Sequence, residues 1–132
     1  MDVILKLVRN IITIDGPSGD GKGTLAFSLA EKLGWNVLDS GLIYRLVGFL
    51  SLKEKLETPQ EIIICINNSK IKLLTNLKMK VCEIELDDKV LGKELRNENV
   101  ASKASELAKD PEIRNAVMKI HRNAYEKEKG LI

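Results

Sequence analysis

Residues 11–24 read "IITIDGPSGDGKGT", and this stretch decides the fold. Its first five residues are mostly β-branched and end at a Gly-Pro pair, as a short buried strand does. From Lys22 onward, apolar residues recur at helical spacing until Gly34, a residue type that favours the end of a helix. The pattern predicts a strand, a glycine-rich loop and a helix in immediate succession.

The loop between this strand and this helix has the pattern of a phosphate-binding loop. Residues 16–22 match the first seven positions of GxxxxGK(S/T), and Gly23 stands at the eighth. Glycines let successive N–H groups point into one cavity, the helix N-terminus favours an anion, and Lys22 supplies a cation for the β- and γ-phosphates. The hydroxyl comes one residue later, on Thr24. The alternative interpretation is a glycine-rich turn without a ligand, which the strand-loop-helix context disfavours.

The rest of the chain predicts an α/β core with an insert. Residues 35–38, "WNVL", form a second apolar run, so strand, loop, helix and strand predict a βαβ unit with a parallel sheet and a right-handed crossover. A helix follows over residues 42–52. Residues 58–92 are interpreted as a small antiparallel insert, because "KIKLL" and "KMKVCEIEL" are typical of strands. Two helices follow, the second starting at Asp110-Pro111 and running to Gly130. The division is therefore 1–57, 58–92 and 93–132.

Composition limits the classes of function. The 132 residues suit a single domain, and a net charge of +2 is too balanced to indicate non-specific nucleic-acid binding. Cys65 and Cys82 form no CxxC pair and His121 is the one histidine, which excludes a zinc finger and favours a reducing compartment. The N-terminus lacks the pattern of a signal peptide, and no stretch has the length of a membrane span. We therefore expect a cytoplasmic protein that binds neither nucleic acid nor membrane.

Three stretches resemble the bacterial cytidylate kinases, which are nucleoside monophosphate kinases. They are "ITIDGPSGDGKGTLA" from residue 12, "EKLGWNVLDSGLIYR" from residue 31, and "ELRNENVASKASELAKDPEIRNAVMKIHR" from residue 94. The GKGT ending, with Gly23 before Thr24, is the form seen in monophosphate kinases of this type. The second stretch matches the family's D-S-G-x-x-Y-R element at the edge of the acceptor site. The resemblance runs from residue 11 to residue 132.

The resemblance implies a P-loop NTPase fold, with a three-layer α/β core whose parallel sheet is incomplete here and a small antiparallel β insert on the acceptor side. It implies a monomeric kinase that uses ATP with Mg²⁺ and phosphorylates CMP or dCMP, giving ADP and CDP or dCDP. Lys22 would stabilise the transition state, and Thr24 would lie on the Mg²⁺ side, with no side chain binding the metal directly. The residues implied in binding ATP phosphates are Gly16, Pro17, Ser18, Gly19, Asp20, Gly21, Lys22, Gly23 and Thr24.

The acceptor-side residues implied are Ser40, Tyr44, Arg45, Ser105 and Arg114. The first three fall within about one helical turn and combine a hydroxyl, a phenol and a guanidinium, which suit a sugar and a phosphate. Ser40 is also placed to cap the helix that starts there. Taken singly, Ser40 could be only a cap, Arg45 a solvated charge and Ser105 a packing residue.

Three further residues of the last stretch have less certain roles. Arg96 and Arg122 match family arginines, although Arg96 could be an exposed charge. His121 replaces the family's Gln and is interpreted as a tolerated surface or edge substitution.

The sequence ends at "EKGLI", before the family's G-R-D motif, its arginine-rich lid and its remaining core strands. The resemblance therefore implies a truncated chain. Because phosphoryl transfer needs several positive groups around the transferring phosphoryl, we expect this chain alone to be at best weakly active, and prone to aggregation. Two alternatives remain: a nucleotide-binding remnant without turnover, and a P-loop kinase acting on another small substrate.

Overall fold

The computed structural model describes residues 4–8, 11–15, 21–124 and 132, which have an α/β architecture. The chain divides into two compact units. The first unit comprises Met1–Leu38, Thr75–Cys82 and Tyr125–Ile132, and the second unit comprises Asp39–Leu74 and Glu83–Ala124. The strands are β1 (Ile4–Val8), β2 (Ile11–Asp15), β3 (Ile71–Asn76), β4 (Val81–Leu86) and β5 (Lys89–Leu91). The helices are α1 (Lys22–Leu33), α2 (Ser40–Lys53), α3 (Pro59–Asn67), α4 (Glu98–Leu107) and α5 (Pro111–Ala124).

Strand β2 is confirmed, but its partner differs from the predicted one. β1 and β2 pair antiparallel, with Ile4 opposite Asp15 and Val8 opposite Ile11. Among the described residues this sheet contains only β1 and β2, so the predicted parallel pairing of β2 with residues 35–38 is wrong there. Two strands that follow each other directly can pair antiparallel without a crossover, whereas a parallel pair needs a long connection.

Residues 35–38 bond to other parts of the first unit. Val37 N–H donates to Thr75 Oγ1 at 2.9 Å, and the Thr75 hydroxyl donates back to the Val37 carbonyl at 3.3 Å. Leu38 N–H donates to the Ile132 carbonyl at 2.7 Å, and Ile132 N–H donates to the Asn36 carbonyl at 3.0 Å. Ile132 thus bonds to both chain neighbours of Val37, which is the hydrogen-bond pattern of a parallel ladder. The apolar run is therefore extended chain that bonds at Ile132 and Thr75.

Helix α1 is confirmed at both ends. It starts at Lys22, and Gly34 ends it in the left-handed conformation, at φ +71°, with its N–H bonded to the Ala30 carbonyl at 2.8 Å. Ala26 and Ala30 are buried in a cluster with Val37 and Ile132. Ile12, Ile14, Phe27, Leu29, Trp35 and Cys82 pack around that cluster. Burial of these side chains fixes α1 against β2.

The second unit is built around α2, which packs against α3, α4, α5 and a short 3-10 helix at Lys93–Leu95. Apolar residues recurring every three or four positions on α2 form one buried stripe, as an amphipathic helix requires. The largest fully buried apolar side chains of the second unit are Ile43, Leu46, Val47, Ile62, Ile84, Leu95, Ile113 and Val117.

The segment expected as an antiparallel insert opens with a helix. Thr58 accepts a hydrogen bond from Glu61 N–H at 3.2 Å, and Pro59 takes the first position of α3. The antiparallel sheet follows, in the order β3-β4-β5, with Leu86 of β4 opposite Lys89 of β5. Ile84 and Leu86 are the buried positions of β4, in agreement with the alternation in the sequence.

The last two helices are also confirmed. Val100, Ala104 and Leu107 form the buried stripe of α4. Asp110 Oδ1 accepts from the N–H groups of Glu112 at 2.8 Å and Ile113 at 3.2 Å, which caps α5 as predicted. The expected continuation of α5 to Gly130 lies outside the described residues. In the described part of the chain, no helix has the length and apolar character needed to cross a membrane.

Candidate functional site

The structure describes only the C-terminal end of the predicted phosphate loop. Gly16, Pro17, Ser18, Gly19 and Asp20 lie outside the described residues. Gly21, the next residue, is at φ +76° and ψ 13°, a left-handed conformation that glycine adopts without a Cβ clash. Because Gly21 directly precedes α1, this turn leads the chain from the loop into the helix.

The N-terminus of α1 has no side-chain cap, and we call it the open end of this helix. Gly21 makes no side-chain cap, and no acidic residue occupies the first turn. A Cβ built on Gly23 would meet nothing within 4 Å of it, and Thr24 is exposed, whereas Lys22 is half-buried. The N–H groups that begin a helix and the positive end of its dipole favour an anion at such a position. The described end of the loop therefore fits a phosphate group.

The cap of α2 differs from the sequence prediction. Asp39, in an extended conformation, is the N-cap residue, and its Oδ1 accepts from Leu42 N–H at 3.3 Å. Ser40 is the first residue of the helix and is exposed, so the prediction that Ser40 caps α2 is wrong. The side chain that bonds the N–H of the third helical residue belongs to Asp39, the residue directly before Ser40.

Three acceptor-side residues lie in the first turns of α2. Ser40 and Tyr44 are four positions apart and so lie on neighbouring turns of one face, and Arg45 follows directly. Tyr44 and Arg45 are half-buried. The arrangement presents a hydroxyl, a phenol and a guanidinium at one end of the helix.

The other two acceptor-side residues lie on the helices that pack against α2. Ser105 is exposed near the end of α4. Arg114 is exposed in the first turns of α5, where its N–H donates to the Asp110 carbonyl at 3.0 Å. Since α2 packs against both α4 and α5, one compact unit carries all five acceptor-side residues.

Arg96, His121 and Arg122 occupy different surroundings. Arg96 follows the 3-10 helix and is exposed, as is Arg122 on α5. His121 is half-buried rather than on the surface, and its Nε2 is enclosed without a hydrogen-bond partner in the described part of the chain. Burial lowers the pKa of His121 below its usual 6.5.

Gly48 is a position that the sequence reasoning missed. It lies on α2 where that helix meets α4, and an added Cβ would stand 2.9 Å from the Val100 carbonyl oxygen and 3.0 Å from the Ala104 nitrogen. A glycine inside a helical pattern was the available signal, because such a glycine usually has a packing reason.

A cleft of about 330 Å³ lies elsewhere in the second unit. It is lined at one end of α2 by Phe49 and Lys53, with the Lys53 Nζ 5.7 Å from the centre of the Phe49 ring. Glu94 lines the far side, and backbone hydrogen bonds from its own N–H and that of Gly92 lower its pKa. None of the predicted site residues lines this cleft.

Comparisons with known proteins agree with the motifs. A family model described as Cytidylate kinase matches residues 12–132. The chain is 38% identical to the cytidylate kinase of Pasteurella multocida (strain Pm70), over 92% of this chain and 53% of that protein. It is 35% identical to the cytidylate kinase of Pseudomonas syringae pv. tomato, over 97% of this chain and 56% of that protein. The chain spans about half the length of the curated relatives it matches. The chain belongs to the cytidylate kinase family.

Proposed function

We propose that this chain supplies the phosphate loop and the acceptor site of an ATP-dependent cytidylate kinase. The reaction transfers the γ-phosphoryl group of ATP to CMP or dCMP and yields ADP and CDP or dCDP. The observation that carries the proposal is the left-handed Gly21 directly before Lys22 and α1, in a chain of this family. The P-loop fold with its three-layer core belongs to the same proposal.

Residues 16–24 bind the phosphates of ATP in this proposal. The N–H groups that begin α1 face the phosphate oxygens, and the Lys22 ammonium stabilises the charge that develops on the transferring phosphoryl group. Mg²⁺ bound with ATP neutralises phosphate charge, and the exposed Thr24 hydroxyl is the group of α1 suited to its side of the nucleotide. No side chain of this chain is expected to bind Mg²⁺ directly, and the nucleotide itself would supply the main ligands.

The acceptor nucleotide binds to the second unit. Arg45 and Arg114 are suited to bidentate contact with the CMP phosphate, and Ser40, Tyr44 and Ser105 to its sugar and base. A phosphate oxygen of CMP attacks the γ-phosphorus and forms the new P–O bond, while the bond from that phosphorus to the β–γ bridging oxygen breaks. No side-chain nucleophile takes part.

The organisation of the protein is a second part of the proposal. We expect residues 1–57 to act as the core with the phosphate loop, residues 58–92 as the acceptor-side insert and residues 93–132 as the helical return to the core. A monomer and a cytoplasmic location remain predictions, supported by family membership and by the balanced charge.

Release of ADP, measured with a coupled assay in the presence of CMP, dCMP, UMP or AMP, tests the proposed function. We expect slow ADP release, since this chain alone is expected to be at best weakly active, and this release should depend on the acceptor and be fastest with CMP or dCMP. ATP binding without acceptor-dependent ADP release would instead support the nucleotide-binding remnant. A clear preference for an acceptor other than CMP and dCMP would support a kinase of another small substrate.

A further inference from the structure

Gly48 is the point of closest approach between the backbones of α2 and α4. An added Cβ would stand 2.9 Å from the Val100 carbonyl oxygen, 3.0 Å from the Ala104 nitrogen and 3.4 Å from the Ala104 Cα. All three are backbone atoms, so no side-chain rotation could make room. Ordinary van der Waals contact of a Cβ begins at 3.4 Å, so the two helices would have to separate by roughly half an ångström.

The proposed acceptor residues lie close to this crossing along the chain. Tyr44 is one helical turn before Gly48 on the same side of α2, and Ser105 directly follows Ala104 on α4. Gly48 is itself buried and carries no group that could touch a nucleotide. Any effect of Gly48 on binding must therefore act through the spacing of the two helices.

We propose that Gly48 is a positioning residue for the acceptor nucleotide, because its missing side chain sets the separation between the α2 residues Tyr44 and Arg45 and the α4 residue Ser105. This inference rests on the proposed acceptor site. A site that contacts one small ligand from two helices must hold its groups within about half an ångström, which is the displacement that a single Cβ would cause.

Gly48→Ala tests the inference through a difference between two ligands. We expect the dissociation constant for CMP to rise about tenfold, since displacements of this size are costly in a site that grips its ligand from two sides. The dissociation constant for ATP should change by less than about twofold, because the phosphate loop belongs to the first unit. Ile84→Val is the matched control: it removes one buried methylene from the same unit, away from the crossing, and should leave both constants unchanged.

A second variant and a double variant keep the inference testable. Ala104→Ser adds one atom on the other side of the same crossing and should weaken CMP binding in the same selective way. In the double variant Gly48→Ala/Ser105→Ala, the two losses of CMP affinity should be less than additive, because both substitutions remove the same contact. Unchanged CMP binding by folded Gly48→Ala and Ala104→Ser, or equal losses for ATP and CMP, would overturn the inference. Failure of both variants to fold would also overturn it, since the crossing would then serve the fold alone.

A separate readout distinguishes this inference from the proposed function. Amide resonances of Tyr44, Arg45 and Ser105 in an NMR spectrum of Gly48→Ala, without nucleotide, should move, while those of α1 stay in place. If the unsubstituted chain binds no CMP, the proposed function fails even though these shifts occur. If CMP binds and these resonances do not move, the positioning role of Gly48 is contradicted.

Discussion

The N-terminus of α1 contrasts with those of the four helices in the second unit. The side chains of Asp39, Thr58 and Asn97 accept hydrogen bonds from the N–H groups of the third residues of α2, α3 and α4, at 3.3, 3.2 and 2.8 Å. Asp110 does the same for α5. Helix α1 instead begins after Gly21, without a side-chain cap.

This difference separates a helix end that serves the fold from one that serves a ligand. A side-chain cap stabilises a helix by about 1 kcal/mol relative to alanine, whereas glycine at the same position costs only a few tenths relative to a good cap. The glycine before α1 therefore costs the fold little, and the N-terminus of α1 directly follows the loop that the motif assigns to phosphate. In each capped helix, at least one of these N–H groups is already bonded to a side chain of the same protein.

The largest expected effect comes from removing the cation at the open end. Lys22→Met should lower the rate of ADP release by about 10²- to 10³-fold, the usual loss when one preorganised group that stabilises transition-state charge is removed. CMP binding should not change, because Lys22 belongs to the first unit. Lys32→Met, in the last turn of the same helix, is the matched control. A Lys22→Met protein that keeps ADP release within about threefold of the unsubstituted rate would contradict the assigned role.

A smaller effect is expected when α1 receives the negative charge that it lacks. Gly23→Asp should stabilise the protein by about 0.5–1 kcal/mol, because it replaces a helical glycine and places a negative charge near the helix N-terminus. The same charge should weaken ATP binding at least about tenfold by repulsion between the carboxylate and the phosphates.

Gly23→Ala is the control for this charge, since a Cβ at Gly23 would meet nothing within 4 Å. It should stabilise the protein in a similar way and weaken ATP binding less than Gly23→Asp does. Thermal melting and calorimetric titration with ATP and Mg²⁺ measure both quantities. Tighter ATP binding by Gly23→Asp would contradict the distinction between a helix end that serves a ligand and one that serves the fold.

Removal of a cap in the second unit should affect stability alone. Asn97→Ala loses the acceptor for Val100 N–H and should lower the free energy of unfolding by about 1 kcal/mol, a decrease of about 3–5 °C in Tm. Asn99→Ala, in the first turn of the same helix, is the control. A large loss of ATP affinity with Asn97→Ala would show that the capped ends are not purely structural.

These helix ends show how much of the structure the sequence could predict. The bounds of α1 and the Asp110-Pro111 start of α5 follow from local patterns, because caps and glycine terminators act within a few residues. The same local chemistry could have identified α3, since Thr58, Pro59 and Glu61 precede the apolar run. The predicted cap of α2, Ser40, was wrong by one residue, because Asp39 and Ser40 are both good cap residues.

Features that depend on distant residues could not be predicted in this way. The antiparallel partner of β2 is β1, whose apolar pattern is interrupted by Lys6, and no local rule selects a strand's partner. The proximity of Gly48 to Val100 and Ala104 also depends on how two helices cross. For the candidate site, motifs indicated which residues to consider, while their placement on packed helices required the structure.

The smallest expected effect concerns His121. Burial lowers its pKa below 6.5 in the folded chain, so the unfolded chain binds a proton first as the pH falls. Stability should therefore be independent of this group above about pH 6.5 and should decrease as the pH falls below that value. Thermal melting between about pH 7.5 and pH 5.5 should show this decrease, and His121→Gln should reduce it. An unchanged pH dependence in His121→Gln would exclude His121 as its source.

Mapping of both nucleotides onto the backbone amides by NMR tests the central claim most directly. We predict that ATP with Mg²⁺ shifts the amide resonances of residues 21–24 at the open end of α1. CMP should shift those of residues 40–45, 105 and 114 in the second unit, and the two sets should be separate. Shifts of the same set by both nucleotides, or ATP-induced shifts at the capped ends with none at residues 21–24, would contradict the account.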